Sequence, residues 1–223
     1  MTRFSSYYSF FYFYFDKRYL IYIITGYLSG SILFGEIFTK YFKNIDIRKE
    51  AQDGNPGAFN AFVCGGMTCG ILTLLADLCK GIIPVFLCNK ALGYGSAFFA
   101  LVLAAPVLGH AFSVFHHGNG GKAIAVSFGV LLGLVPLWLP VLILAGFYLI
   151  FSLVIPLKSH AHRSILAFLC WAAVGSVLVK QPSIAFGILI IAAIVIYKHC
   201  IPIIKEKKAL ENEVPHESTN SVL

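Results

Sequence analysis

Two short stretches of this sequence carry most of its reactive groups. The first, residues 46–60 (DIRKEAQDGNPGAFN), holds Arg48, Gly54, Asn55, Gly57 and Asn60. Gly54-Asn55-Pro56-Gly57 does not fit a helix interior, so the backbone must turn tightly there. Such turns point several N–H groups into one concavity, and that favours an anion. Arg48 adds a planar fork suited to a carboxylate or a phosphate. The second stretch, residues 116–122 (HHGNGGK), ends where an apolar segment begins. Gly120 and Gly121 let a ligand approach the backbone at a helix start, where exposed N–H groups attract anions. Lys122 in a first helical turn opposes the helix dipole, so a negative group such as phosphate belongs between them. Both stretches therefore suggest phosphate chemistry. Two plainer readings stand beside it: ordinary turn residues in the first stretch, and a lysine snorkelling to lipid headgroups in the second.

Other chemistries fit less well. The second stretch is not a Walker A loop, because His116 stands five residues before Gly121 and Ala123 follows Lys122. His160 and His162, an i,i+2 pair read as lying on a loop, have no accompanying carboxylate or cysteine, so no metal site is expected. The six cysteines form no C-x-x-C pair and fall in or beside apolar segments, as small core residues do. Asp77 and Lys80 lie three apart within an apolar segment, so they share a helix face and neutralise each other. Ionisable groups inside a span usually face a protein interior or a watery cavity, either in a functional role or as a structural pair.

The elements that must position these groups are membrane helices. The 223 residues are 58% hydrophobic and 12% charged, with a mean hydropathy of +0.82. A soluble domain carries about 25% charged residues, so an all-α integral membrane protein is expected, with room for about seven spans of roughly 20 residues. The net charge of +7 is scattered between apolar runs, which excludes a nucleic-acid stripe. Spans are expected near 19–38, 61–88, 96–115, 138–157, 164–179 and 183–197, with a short or kinked helix over 123–135. Gly26 and Gly30, four apart, allow close packing of the first span. Residues 1–18 read as an aromatic extension at the membrane interface, 19–204 as one transmembrane domain, and 205–223 as a charged tail, disordered beyond about Ala209. With the 46–60 loop in the cytoplasm and alternating helices, Lys40, Lys43, Arg48, Lys49, Lys122, Lys158, Arg163 and Lys198 fall inside with the C-terminus. Arg3, Lys17, Arg18, Lys90 and Lys180 fall outside, and every polar loop collects on one face.

The ordered motifs resemble the PlsY-type acyl-phosphate:glycerol-3-phosphate acyltransferases. The first runs through Gly30-Ser31-Ile32-Leu33-Phe34-Gly35-Glu36, Asp46-Ile47-Arg48 and Gly54-Asn55-Pro56-Gly57-Ala58-Phe59-Asn60. Asp77, Lys80-Gly81 and Pro84 match the end of the family's second span, Gly109-His110 and Gly120-Gly121-Lys122-Ala123-Ile124-Ala125 its second motif, and His199 its third catalytic loop. The resemblance implies seven spans with cytoplasmic active-site loops in a bacterial inner membrane, and no cofactor. It implies acyl transfer from acyl phosphate to the sn-1 hydroxyl of glycerol 3-phosphate beside membrane lipid. Catalytic roles fall to His199, Lys122 and Asn55; substrate binding to Arg48, Gly54, Gly57, Asn60, Gly120, Gly121 and Ser159; support to Asp77, Lys80 and His110. Arg48, Asn55 and the 54–57 backbone would take one phosphate, and Lys122 with the Gly120 and Gly121 N–H groups the other. His199 would accept the hydroxyl proton or orient the acceptor; a histidine at a helix end that favours the dipole is the other reading.

The sequence also departs from the family pattern. Ala51-Gln52-Asp53-Gly54-Asn55 stands where Gly-Ser-Gly-Asn is usual, with the serine lost and one residue added. Phe59, Ser113 and Ala123 replace threonine, proline and glycine, and His199-Cys200-Ile201-Pro202 replaces His-Arg-Glu-Asn. An altered or inactive descendant, acting as a transporter or as a lipid- or phosphate-binding protein, is the rival reading. An acyl-CoA-dependent enzyme would need His-x-x-x-x-Asp, which none of the seven histidines supplies. A CDP-alcohol phosphotransferase would need several more aspartates than Asp77 after Asp53. A transporter would be supported by inverted repeats, and none is visible.

Overall fold

The computed structural model describes residues 16–157 and 159–213, with side chains as far as Ile204. The expected aromatic extension, apart from its last three residues, and the chain after Glu213 lie outside the described residues.

All regular structure in this range is helical. The helices are α1 (Arg18–Ser31), α2 (Phe34–Lys43), α3 (Ile47–Glu50), α4 (Ala58–Leu92), α5 (Phe99–Ala111), α6 (Ile124–Leu132), α7 (Leu139–Leu149), α8 (His160–Leu178) and α9 (Pro182–Glu213). A 3-10 turn (Val114–His116) follows α5 and a π turn (Ile150–Val154) follows α7. Among the described residues, five segments are long and apolar enough to cross a membrane: Arg18–Lys43, Ala58–Leu92, Phe99–His116, His160–Leu178 and Pro182–Ile204. The fourth expected segment is α6, nine residues long and too short to span, and α7 with its π turn is also short.

Helix α5 is the axis of the bundle. Its faces pack on α1, α4, α6 and α9, and Phe99, Val102, Leu103 and Val107 are fully buried in the core with Phe168, Trp171, Ile184, Ile188 and Ile191. Trp171 Nε1 donates to the Pro140 carbonyl at 2.9 Å and ties α8 to α7. Side chains such as Val63, Met67, Leu142, Leu153 and Val177 point outward, as a lipid-facing surface requires.

Small residues let α1 and α5 touch at the backbone. A methyl group on Gly30 would overlap the Pro106 carbonyl, one on Gly109 the Tyr27 carbonyl, and Gly26 faces the Pro106 ring on the same side. The four-residue spacing of Gly26 and Gly30 therefore makes the contact it predicted. Gly109→Ala is expected to cost about 1–3 kcal/mol by overpacking, read as a lower thermal unfolding midpoint in detergent. An unchanged midpoint would contradict this packing.

Three expected boundaries move. The first span breaks at Ile32 and Leu33, between α1 and α2. The freed Ile32 carbonyl accepts from Lys80 Nζ at 2.7 Å, so the break is stabilised by a side chain from another helix. His160 and His162 lie in the first turn of α8 rather than on a loop, because Ser159 caps that helix. Helix α9 runs through Lys198-His199-Cys200 and past Ala209 to Glu213, so His199 sits in a helix interior and not at a helix end. Ile201, Ile203 and Ile204 continue its apolar composition, and Pro202 is accommodated within the helix.

Candidate active site

The loop before α4 and the loop after α5 meet at one end of the bundle. Asp46 caps the four-residue α3 by accepting from the Arg48 N–H at 3.2 Å, which fixes the base of the Arg48 side chain. Arg48 Nη2 then donates to the Asn119 carbonyl at 2.9 Å and joins the two loops directly. Its Nε binds Glu36, whose other oxygen meets His116 Nε2 at 2.9 Å. Ser113 donates to the Ser31 carbonyl at 2.6 Å and lies 3.0 Å from His116 Nδ1. The break after α1, the second loop and Arg48 therefore form one connected network.

A second network centres on Asp53. Its Oδ1 accepts from Asn60 Nδ2 at 2.7 Å and from the Asn55 N–H at 3.1 Å, while its Oδ2 meets Lys122 Nζ at 2.7 Å. Burial raises the Asp53 pKa, but the Lys122 and Asn60 hydrogen bonds, the lysine charge and the Asn55 N–H outweigh it and hold the carboxyl below its ordinary value. Asn60 also donates to the Asn55 carbonyl at 2.8 Å. Asn55 Oδ1 accepts from the Lys122 backbone N–H at 3.1 Å, which leaves its amide NH2 as a donor.

These bonds revise two expectations about backbone donors. Lys122 precedes α6 instead of lying in its first turn, because Ala123 is the N-cap, in the left-handed region at φ 59°. The Gly121 N–H is taken by the His110 carbonyl at 2.8 Å and the Lys122 N–H by Asn55, so neither is open to a phosphate. The Gly54 and Asn55 N–H groups are likewise engaged, by the Ala51 carbonyl at 3.0 Å and by Asp53. The N–H groups of Gly57 and Gly120 make no such bond among the described residues, so they remain as donors beside the side chains.

Below the loops, Lys80 Nζ lies 2.8 Å from Asp77 Oδ1, 2.8 Å from His110 Nδ1 and 2.7 Å from the Ile32 carbonyl. All three side chains are buried. A methyl on Gly121 would overlap His110 Nε2, so the Gly120-Gly121-Lys122 segment rests on this imidazole. Asp77, Lys80 and His110 thus support the loop from beneath.

Two cavities open on these networks. One, of about 740 Å³, is the more polar of the two and is lined by Arg48, Gly54, His116, His117, Gly120 and Lys198 among others. The other, of about 780 Å³, is lined by Gly57, Phe59, Asn60, His110 and His199 together with Phe128, Leu132, Val141 and Tyr148. Asp53, Asn55 and Lys122 line both. His199 is buried, and its Nδ1 lies 2.8 Å from the Val195 carbonyl. A carbonyl only accepts, so Nδ1 carries the proton and a neutral ring leaves the Nε2 lone pair available.

The structure therefore gathers Arg48, Gly54, Asn55, Gly57, Asn60, Gly120, Lys122 and His199 at adjoining cavities. Gly121 and Ser159 are the exceptions: neither lines a cavity, Gly121 is buried against His110, the Ser159 hydroxyl caps α8, and Ser164 five residues on faces the apolar cavity instead. Reading the sequence left the role of Asp53 open and did not identify Tyr148 or Arg163. The Tyr148 hydroxyl and Arg163 Nε, on residues lining the apolar cavity, are buried without a hydrogen-bond partner among the described residues. Asp53 carried a signal, an acid in a loop otherwise built for anions. Tyr148 and Arg163 carried none, since their approach depends on how α7 and α8 pack.

Known proteins share both the sequence and the fold. The family model for glycerol-3-phosphate acyltransferase matches residues 20–206. The glycerol-3-phosphate acyltransferase of Geobacter sulfurreducens is 34% identical over 193 residues, covering 86% of this chain and 96% of that one. That of Trichlorobacter lovleyi is 38% identical over 184 residues, covering 81% and 89%. The crystal structure of PlsY (YgiH), an integral membrane glycerol 3-phosphate acyltransferase, in its glycerol 3-phosphate form, matches with a TM-score of 0.74 at 30% identity, covering 86% of this chain and 93% of that one. Its lysophosphatidic acid form matches with a TM-score of 0.73 at 29% identity. Motifs that meet across two loops, relatives aligned over most of their length and a shared helical bundle converge: this chain belongs to the glycerol-3-phosphate acyltransferase family, as an integral membrane protein.

Proposed function

We propose that this protein transfers a fatty acyl group from acyl phosphate to the sn-1 hydroxyl of glycerol 3-phosphate, at the junction of its two cavities. The observation that carries this reading is that Asp53, Asn55 and Lys122 line both a cavity rich in cationic and polar side chains and a more apolar one. A small dianionic alcohol suits the first, and a long acyl chain suits the second, between helices and beside lipid. The hydroxyl oxygen attacks the acyl carbonyl, the carbonyl–phosphate C–O bond breaks, and inorganic phosphate leaves with lysophosphatidic acid formed. An acyl phosphate is already activated, so the protein needs no covalent nucleophile. Its work is to hold two anions together against their repulsion.

The two-site division of phosphates expected from the sequence becomes one composite site. Asn55 and Lys122 are bonded to each other and Arg48 is bonded to the same second loop. Lys122 and the Asn55 amide supply the charge and donor for the phosphates and for the tetrahedral oxyanion. His199 Nε2 receives the hydroxyl proton or orients the hydroxyl. The catalytically silent, transporting or binding-only descendant is disfavoured by the same shared wall, which fits two reactants rather than a through-path.

The cavities open at the end of the bundle that holds Arg48, Lys122 and Lys198. At the other end, the Tyr19 hydroxyl binds the Gly93 carbonyl at 3.2 Å and Ser183 binds the Tyr94 carbonyl. The basic end supports a cytoplasmic active site and C-terminus in a bacterial inner membrane.

The purified protein, given a long-chain acyl phosphate and glycerol 3-phosphate, is expected to release one phosphate per lysophosphatidic acid formed, with acyl-CoA giving no product. No product from acyl phosphate, or equal product from acyl-CoA, would overturn the reading. Asn55→Ala removes both the donor and the acceptor that fixes Lys122, and is expected to lower kcat/KM by about a hundredfold. A loss below threefold would remove Asn55 from the site.

A further inference from the structure

The two cations assigned to anions each already meet a carboxylate: Arg48 meets Glu36 and Lys122 meets Asp53. The second pair stands where the cavities join, so a phosphate approaching Lys122 encounters a negative charge beside the cation it needs. The two oxygens of Asp53 have separate partners. Oδ1 is held by Asn60 Nδ2 and the Asn55 N–H, which order the loop, while Oδ2 meets Lys122. The side chains of Lys122 and Asp53 keep 20% and 34% of their surface exposed, so solvent or a ligand can reach between them.

We propose that Asp53 is an exchangeable counterion for Lys122, whose Oδ2 holds the ammonium at the junction until a phosphate group displaces it. The inference rests on the reading of the junction as a phosphate site. Asp53 is a positioning residue and not a catalytic one: it acts through Lys122. Two consequences follow from its charge. The lysine is kept extended across the shared wall, with its side-chain entropy already reduced before the substrate arrives. The carboxylate also competes with bound phosphate, so it weakens affinity for substrate and favours the departure of the inorganic phosphate formed in each turnover. A serine at this position would carry no such charge, so this chain should hold phosphate more loosely at Lys122 than its Asp53→Ser variant would.

The test compares full-length protein with Asp53→Asn, Asp53→Ser and Asp53→Glu. Asparagine keeps an oxygen for Asn60 and the Asn55 N–H but removes the charge, serine removes the charge with a smaller group, and glutamate keeps the charge. Inorganic phosphate is the probe, titrated against the thermal unfolding midpoint and, separately, used as an inhibitor of acyl transfer. The asparagine and serine variants are expected to bind phosphate about tenfold more tightly, the size expected when a partly exposed like charge is removed from beside an anion. KM for glycerol 3-phosphate should fall by about the same factor with kcat changed less than about threefold, while Asp53→Glu stays near wild type in both. Unchanged or weaker phosphate binding in both uncharged variants would overturn the proposal and leave Asp53 as a loop-ordering residue only. If no variant, wild type included, transfers acyl groups yet phosphate binding tightens as stated, the counterion role stands and the acyl-transfer reading fails.

Discussion

Alanine in place of Lys122 is expected to lower kcat for acyl transfer by about a thousandfold with the fold retained. The charge that Lys122 supplies lies at the wall shared by the two cavities, where the proposed reaction would develop negative charge as the hydroxyl adds to the acyl carbonyl. Removing it does more than delete a donor. The Asp53 carboxylate, 2.7 Å from the ammonium in the intact protein, would be left facing the reactants without a cation. Substrate binding and transition-state stabilisation should therefore both suffer. The fold should persist, because the bond from the residue-122 backbone N–H to Asn55 Oδ1 does not involve the side chain. The double variant Lys122→Ala/Asp53→Asn separates the two losses. It should recover most of the increase in KM and little of the fall in kcat, since the repulsion is gone but the cation is still missing. A kcat for Lys122→Ala within tenfold of wild type, in protein with an unchanged unfolding midpoint, would take Lys122 out of the reaction.

Arg48 contributes differently. It ties the first loop to the Asn119 carbonyl and is held by Glu36, so part of its fork is engaged within the protein. The phosphate-binding role expected of it from the sequence would be shared with this bracing role.

Much of this arrangement was legible in the sequence because the signals were chemical and local. Turn residues at Gly54–Gly57 make the loop they implied and the Asp77/Lys80 pair is buried together as its helical spacing allowed, whereas the lysine after two glycines precedes α6 and meets Asp53. The Gly26/Gly30 spacing makes the close contact it implied, with α5. What was not legible depended on tertiary partners. Apolar runs do not mark a helix break like that at Ile32, because the lysine that stabilises it comes from α4. The continuation of α9 through His199 was hidden by a polar Lys-His-Cys cluster followed by a proline, which reads as a terminus. The occupied N–H groups of Gly121 and Asn55 could not be foreseen either, since their acceptors are His110, brought from α5, and a rotamer of Asp53. Ser159 misled because a serine before a helix serves equally as a cap or as a ligand, and only the cavity lining distinguishes them.

The buried support beneath the loops carries the second large effect. Lys80→Ala is expected to destabilise the protein by about 3–5 kcal/mol, read as a steep fall in its unfolding midpoint in detergent. Lys80 donates to the Ile32 carbonyl, lies within hydrogen-bond distance of His110 Nδ1 and is ion-paired with Asp77. Alanine would leave a buried carboxylate with no cation and a helix-break carbonyl with no donor. The effect should reach activity as well, because the Gly120-Gly121-Lys122 segment rests on the His110 ring and the Gly121 N–H is held by the His110 carbonyl. Residual folded protein is therefore expected to show a raised KM together with a lowered kcat. Lys80→Met combined with Asp77→Asn removes both charges while keeping much of the volume, and should lose less stability than Lys80→Ala. If instead the double variant were the less stable, the pair would be stabilising by its own attraction, and the cost of an orphaned charge would not be what holds Asp77 and Lys80 together beneath the site.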